Sequence, residues 1–212
     1  LRPDLRELEL GHRLDRDTSG VLVLAKTPSM LRYLHDLLRD REDEIDRRYL
    51  ALVEGAWPDG VTVLQTPLLT REAGVVAHPD GQRAETHVEV RSRVGKRATL
   101  VDVRLLTGRK HQIRRHLQGV GHGVVGDPRW RPSRARPLPV HPGRMWLHAA
   151  SIELPDGRRL ELTSYFRTLG ISLAIARPGD VRAWSTGNII RVIMRVWTTT
   201  VPSPSSSATR AC

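Results

Sequence analysis

The sequence predicts an α+β fold, in which helices flank a mixed, largely antiparallel β-sheet. Residues 100–105 alternate with a period of two, which is typical of a strand with one buried face. Residues 28–41 carry apolar side chains at helical spacing. Strand patterns alternate with only a few helix patterns and show no βαβ regularity. A mixed sheet is therefore favoured over a parallel one.

The first elements predicted along the chain are a buried strand and a helix. Residues 20–25 form a continuous apolar run, which is typical of a strand buried on both faces. Thr27 and Pro28 supply an N-cap and a preset first helical position, so the helix is expected over residues 28–41. The acidic and basic residues 39–48 are interpreted as a solvated connector.

The rest of the patterned region predicts strands, one short helix and a final hairpin. Residues 56–60 indicate a turn, and the Pro/Arg-rich residues 128–142 indicate a loop. The short helix is expected over residues 110–118, with Ile113 and Leu117 on one face. The remaining strands are expected at residues 49–54, 85–91, 100–105, 146–154 and 159–162.

The 212 residues suit one domain followed by a tail. Residues 1–163 are expected to form the domain. From residue 164 onward the periodic pattern is lost, and residues 201–207 are rich in Pro and Ser. Residues 164–212 are therefore expected to be a poorly ordered tail.

Composition excludes several classes of protein. The only cysteine is Cys212, so an internal disulfide framework and a cysteine zinc site are excluded. Apolar runs are too short to span a bilayer, and no signal pattern opens the chain, so a cytoplasmic setting without membrane contact is expected. The net charge of +11 favours a polyanionic partner. Arg supplies 31 of the 34 positive charges, a bias that genome base composition can also produce.

The segment from residue 11 to residue 20 is a polar turn placed immediately before the first predicted strand. It contains Asp15 between Arg13 and Arg16. An aspartate in such a turn most often bonds the local backbone, and on physical grounds alone that role is the favoured one here.

Five segments nevertheless resemble, in order, the motifs of the RluA-type RNA pseudouridine synthases. Residues 12–26 resemble the HRLDxxTSGLLLxAK signature, and residues 48–55 resemble the (K/R)xYxAxVxG strand. Residues 106–116 resemble (T/P)GRTHQIRxH, residues 121–127 resemble GHPxxGD, and residues 147–150 resemble the LHAxxL strand. The similarity covers roughly residues 10–163, and the spacing is closest to the branch that acts on large-subunit ribosomal RNA.

The resemblance implies the pseudouridine synthase catalytic fold and the isomerisation of uridine in RNA to pseudouridine. It implies Asp15 as the catalytic carboxylate, which acts either as nucleophile or by stabilising and deprotonating a sugar intermediate. Arg114 matches the arginine that pairs with this aspartate and keeps it ionised. Tyr49 matches the tyrosine that lies against the target base.

RNA contacts are assigned by the same resemblance. Arg13 matches the residue that enters the space left by the flipped nucleotide. Arg16, three residues further on, is also expected to bind RNA. Arg109, Lys110 and Arg115 are expected to contact phosphates and to position the RNA.

Three histidines of these motifs, His12, His111 and His116, are expected to be structural hydrogen bonders. His111 and His116 are five residues apart and face different sides of a helix, so no metal site is predicted. The implied reaction is an internal rearrangement, and no cofactor is expected. A monomer is expected, with ribosomal RNA favoured over transfer RNA as partner.

The chain also departs from the family pattern. Eleven residues precede His12, without the family's Lys-Pro strand, so the domain is expected to be partial at its amino terminus. Residues 164–212 lack the family's usual ending. The alternatives are the same chemistry on transfer RNA, or a truncated, non-catalytic, basic RNA-binding remnant.

Overall fold

A computed structural model describes residues 8–130 and 144–161. The helices of this part of the chain are α1 (Pro28–Asp40) and α2 (Gln112–Gly119), with a short 3-10 helix at Glu42–Glu44. Neither α1 nor α2 is long and apolar enough to cross a membrane. The strands are β1 (Glu9–Leu10), β2 (Ser19–Gly20), β3 (Leu24–Ala25), β4 (Asp46–Glu54), β5 (Val63–Leu64), β6 (Leu68–Arg71), β7 (Gly74–Ala77), β8 (Thr86–Val94), β9 (Ala98–Leu105), β10 (Leu147–Glu153) and β11 (Arg159–Glu161).

The central sheet has the strand order β11-β10-β4-β9-β8-β5, and β2 pairs with β10 outside this path. All of its pairings are antiparallel except that of β2 with β10, which is parallel. Two small antiparallel pairs, β1 with β3 and β6 with β7, lie outside it. The prediction of an α+β fold with a mixed, largely antiparallel sheet is therefore confirmed.

The alternation of β9 divides the core between the two faces of this sheet. Val101 and Val103 pack in the cluster that also holds Ile113 and Leu117 of α2. Leu100 belongs to a second cluster on the opposite face. Since side chains two residues apart point to the same face of a strand, the alternation fixes which side of the sheet α2 covers.

Helix α1 begins where the sequence predicts. The Thr27 hydroxyl accepts a hydrogen bond from the Met30 amide (3.3 Å), and Pro28 is the first helical residue. Leu34 and Leu37 are buried against Val21 and Val23 in a third core cluster. The helix is thus held by its cap and by one apolar face.

Removal of the cap has a modest expected cost. Thr27→Ala leaves the Met30 amide without its side-chain acceptor, and we expect the free energy of unfolding to fall by about 1 kcal/mol. Urea unfolding of Thr27→Ala, beside Thr27→Ser as the hydroxyl-bearing control, measures this. Equal losses in the two variants would contradict the role of the cap.

The prediction of one strand over residues 20–25 is wrong. Gly20 has φ +123°, and a Cβ there would collide with the Ala149 backbone. The Val21 amide donates to the Ala149 carbonyl (2.9 Å), while the Val23 carbonyl accepts from the Gly11 amide (2.9 Å). The segment therefore leaves β10 and crosses to β1, which splits it into β2 and β3.

The connector after α1 is also less solvated than predicted. Strand β4 begins at Asp46, and Arg47 within it is buried. Glu42 of the 3-10 helix is half-buried. The predicted domain boundary at residue 163, the tail 164–212 and most of the predicted loop 128–142 lie outside the described residues, so the domain division stays a prediction.

Candidate active site

A cavity of about 440 Å³ opens beside the turn that contains Asp15. Its walls come from this turn, from β4, from the start of α2 and from β10. The lining side chains that the following paragraphs use are Arg13, Asp15, Arg47, Tyr49, Arg109, Lys110, His111 and Arg114. Residues about a hundred positions apart in the sequence thus meet at one site.

Asp15 and Arg114 form an ion pair at this cavity. The amide of Thr18 donates to the Asp15 carbonyl oxygen (3.0 Å), which closes the turn and leaves the side chain 18% exposed. Arg114 Nη1 donates to Asp15 Oδ2 at 3.1 Å. Because α2 packs against the sheet through Ile113, the guanidinium of the next residue is held in a fixed place. The contact between Arg114 and Asp15 that the family resemblance implies is present.

Arg114 also binds a second carboxylate. Its Nε and Nη2 donate to the two oxygens of Asp127, at 2.7 and 2.9 Å. The side chain of Asp127 is fully buried, and that of Arg114 is 5% exposed. The Trp130 ring covers the guanidinium at 4.5 Å. Such a bidentate pair fixes the orientation of the guanidinium that faces Asp15.

The contacts of Arg114 and Asp127 determine the charge state of both side chains. Burial by itself lowers the pKa of Arg114, but the hydrogen bonds to Asp127 and Asp15 outweigh it, and the net shift is upward. Burial by itself raises the pKa of Asp127, but the Arg114 guanidinium and the amides of Arg129 and Trp130 bring the net shift below the ordinary value. Both side chains are therefore charged at neutral pH.

His111 differs from its expected role. Among the described residues, His111 alone of the non-glycine residues has a positive φ (54°). It stands at the N-cap position of α2. Its Nε2 lies 3.7 Å from Asp15 Oδ1, and its ring meets Trp130 edge-on at 4.8 Å. Its Nδ1 is buried without a hydrogen-bond partner. The His111 ring thus faces the carboxylate of Asp15.

The pKa of His111 lies below its ordinary value. Burial is the main cause, and the charges of Arg114, Lys110 and Arg129 act in the same direction, while Asp15 opposes them. The ring is therefore neutral at pH 7. In the neutral tautomer that carries its proton on Nε2, this N–H points towards the Asp15 carboxylate. Nδ1 is then the unprotonated nitrogen and has no donor to accept from.

Tyr49 lies on β4 and lines the same cavity. Burial raises the pKa of its hydroxyl, the charge of Arg47 opposes the rise, and Asp15 adds to it. Tyr49 is therefore a neutral phenol at neutral pH. Its ring packs against the core cluster below α2, which fixes one wall of the cavity.

The expected RNA-binding residues divide into two groups. Arg13 and Lys110 are exposed and line the cavity, and Arg16 is 79% exposed beside Asp17. Arg109 forms an ion pair with Glu42, and Arg115 donates to Gln118 (2.7 Å). The first group is available to a ligand, whereas the second already has partners within the fold.

His12 and His116 make internal hydrogen bonds. His12 Nε2 accepts from the Val23 amide at 3.0 Å. His116 lies between the Thr86 hydroxyl and the Thr66 carbonyl oxygen, each at 2.9 Å. Burial lowers the pKa of both rings. They hold the turn before β3 and the start of β8 in place.

Sequence reasoning missed four side chains of this site: Arg47, His111 as a neighbour of Asp15, Asp127 and Trp130. Asp127 ends the segment that resembles GHPxxGD, so its position was visible. Its pairing with Arg114 was not, because the pattern carries no information on contacts between α2 and the following loop.

Comparison with known proteins gives concordant results. A family model described as RNA pseudouridylate synthase matches residues 2–119. The ribosomal large subunit pseudouridine synthase C of Vibrio vulnificus is 42% identical over 156 residues, which is 72% of this chain and 49% of that protein. The protein of the same name from Escherichia coli K12 is 43% identical over 162 residues, which is 72% of this chain and 50% of that protein. The chain spans about half the length of these curated relatives.

Solved structures also match. Human RNA Pseudouridylate Synthase Domain Containing 4 has a TM-score of 0.60 at 25% identity, over 73% of this chain and 70% of that one. Human RNA Pseudouridylate Synthase Domain Containing 1 has a TM-score of 0.62 at 23% identity, over 82% of this chain and 78% of that one, and supports the fold alone.

Proposed function

The chain belongs to the RNA pseudouridylate synthase family, and from this premise we propose that it isomerises specific uridines in RNA to pseudouridine, with Asp15 as the catalytic carboxylate. The observation that carries the proposal is the ion pair of Asp15 with Arg114 at the wall of a nucleotide-sized cavity. A volume of about 440 Å³ is within the range of roughly 300–1,000 Å³ usual for small-molecule sites.

The reaction exchanges one bond of C1′ for another. The N1–C1′ bond breaks, the uracil turns, and a C5–C1′ bond forms, while C5 loses a proton and N1 gains one. An ionised Asp15 can attack C1′ or take a proton from a sugar intermediate, and both roles need the charge that Arg114 stabilises. Tyr49 is proposed to lie against the base and to handle protons there. No metal or cofactor enters these steps, which stays a prediction.

Access to the cavity requires the target base to leave its stack. The cost of flipping is a few kcal/mol, and a planar guanidinium can stack in the vacated place. Exposed Arg13 at the cavity is proposed for this role, with Arg16, Arg109, Lys110 and Arg115 proposed as phosphate contacts. The net charge of +11 supports an RNA partner. A monomeric state and a cytoplasmic location stay predictions.

Large-subunit ribosomal RNA is the proposed substrate, because the relatives cited above carry that substrate class in their names. The test incubates the protein with protein-free ribosomal RNA and with transfer RNA, both lacking pseudouridine. Carbodiimide labelling and primer extension then map modified uridines. New stops in ribosomal RNA support the proposal, and stops in transfer RNA alone favour the alternative substrate. Bound RNA without any stop favours the non-catalytic RNA-binding alternative.

Lys110 offers a test of the phosphate contacts. Its side chain is exposed at the cavity, so Lys110→Ala removes a charge without removing a buried group. We expect weaker RNA binding and a salt slope, log K against log [salt], reduced by roughly one unit. Arg39→Ala is the control, because Arg39 is paired with Asp36 and Asp40. Equal slopes in the two variants would remove Lys110 from the contact set.

A further inference from the structure

Arg47 is a buried arginine in the wall of the cavity. It lies on β4 two residues before Tyr49, opposite Leu105 of β9, and it is 8% exposed. Arg47, Tyr49 and Leu105 all line the cavity. Since the two β4 side chains share one face of the strand, the guanidinium lies on the same side of the sheet as α2.

The charge of Arg47 is poorly compensated by the described residues. Nη2 donates to the Glu42 carbonyl oxygen at a long 3.3 Å, and the Glu42 carboxylate is 3.9 Å away. Nε is buried without a partner. Glu42 is itself bound by the Arg109 guanidinium and by the Gly108 amide (2.8 Å). Two guanidinium groups therefore share one carboxylate.

This arrangement is costly unless something else binds there. Burial lowers the pKa of Arg47, and the nearby charge of Arg109 acts in the same direction, while Tyr49 and Glu42 oppose it. A buried charge without a full partner destabilises a fold, and an apolar side chain of similar volume serves packing better. The Arg47 guanidinium also lies close to the backbone of Gly108, because a Cβ on Gly108 would be only 2.5 Å from Arg47 Nη1.

The two sets of ion pairs beside the cavity have opposite imbalances. Asp15 and Asp127 share the single guanidinium of Arg114, which leaves an excess of carboxylate. Arg47 and Arg109 share the single carboxylate of Glu42, which leaves an excess of cation. A nucleotide carries its formal negative charge on the phosphate. Its sugar therefore fits at Asp15 when its phosphate lies at the cationic cluster.

We propose that Arg47, together with Arg109, binds the phosphate adjoining the uridine that enters the cavity. The inference rests on the proposed function, and it adds a binding site for one particular phosphate. Guanidinium is suited to this because its planar donors match phosphate oxygens in pairs. Occupation by phosphate supplies the negative charge that the folded protein lacks at this place.

The experiment compares Arg47→Met and Arg47→Lys with the unaltered protein. The probe is a fluorescein-labelled RNA hairpin with one uridine in its loop, bound at several salt concentrations. For Arg47→Met we expect about tenfold weaker binding at low salt and a salt slope reduced by roughly 0.7, the value for one phosphate of a single strand. Arg47→Lys should keep the slope. Arg39→Met, at a paired surface arginine, is the control and should match the unaltered protein.

A second arm alters the RNA instead of the protein. A neutral methylphosphonate is placed at the phosphate 5′ or 3′ of the uridine. The unaltered protein should bind one of these two RNAs about tenfold more weakly than it binds the unmodified hairpin. Arg47→Met should bind that RNA and the unmodified hairpin equally well. An unchanged slope, or equal weakening by the methylphosphonate in both proteins, overturns the proposal. Because each protein is compared with itself on two RNAs, a smaller folded fraction of Arg47→Met cancels in the ratio of its two dissociation constants.

Stability separates a binding role from a structural one. Urea unfolding without RNA should give Arg47→Met a midpoint equal to or above that of the unaltered protein, because an unbalanced buried charge is removed. A lower midpoint with unchanged binding per folded molecule shows a structural role and overturns the proposal. Isomerisation is scored separately, on the ribosomal RNA of the mapping experiment, so the absence of any new stop there counts against the proposed function while the hairpin binding data still judge Arg47.

Discussion

Asp15→Asn is expected to lower the rate of isomerisation by a factor on the order of 10⁴, the scale seen when a central catalytic carboxylate is removed. Asn has the size of Asp and still offers Oδ1 to the Arg114 guanidinium, so the geometry at the 3.1 Å contact can persist. What is lost is the negative charge that both proposed roles of Asp15 require.

RNA affinity should move little in the same variant. Binding depends chiefly on phosphate contacts, and Asp15 contributes a charge that repels phosphate. The RNA dissociation constant is therefore expected to stay the same or to decrease slightly. Single-turnover assays on the mapped ribosomal RNA site measure the rate, and filter binding measures the affinity.

Asp17→Asn is the matched control for this experiment. Asp17 lies in the same turn and pairs with exposed Arg16 at 3.5 Å, but it is not part of the cavity wall. It should isomerise at the unaltered rate. A rate for Asp15→Asn above a tenth of the unaltered rate, or an equal loss in Asp17→Asn, contradicts the assignment of Asp15.

The parts of the fold that the sequence predicted are those decided by local periodicity. Helix α1 has a cap, a proline at its first position and one apolar face, and β9 has a strict alternation. Residues 20–25 were predicted as one strand because an apolar run indicates burial but not pairing partners. Their division into β2 and β3 depends on the contact of Gly20 with Ala149, over a hundred residues away.

The sequence predicted those residues of the candidate site that lie in the family motifs. The proximity of Asp15 to Arg114 and Tyr49 followed from the family resemblance. The burial of Arg47 did not. Arg47 stands at the basic position two residues before Tyr49 in the strand motif, but the run of charged residues around it is typical of a surface. Nor did the left-handed backbone of His111, since a histidine before a helix gives no signal of positive φ. These features arise from packing between distant segments.

Arg114→Met should damage both folding and turnover. Asp127 is fully buried and would lose the guanidinium that contacts both of its oxygens. Breaking a buried ion pair on one side costs about 3–5 kcal/mol, and we expect the free energy of unfolding to fall by about that amount. The loss in free energy of unfolding relative to the unaltered protein should become smaller as the pH falls towards about 4. There the Asp127 carboxyl is protonated in the variant, and a neutral carboxyl does not need a neighbouring cation.

The double variant Arg114→Met/Asp127→Asn separates the two consequences. Neutralising Asp127 removes the unpaired buried charge, so urea unfolding should recover most of the lost stability. The side-chain carbonyl oxygen that this substitution retains can still accept the hydrogen bonds that Asp127 accepts from the amides of Arg129 and Trp130. Turnover should stay low, because Asp15 no longer has the cation that supports its charge. If turnover returned together with stability, Arg114 would be a structural residue whose contact with Asp15 is incidental to catalysis.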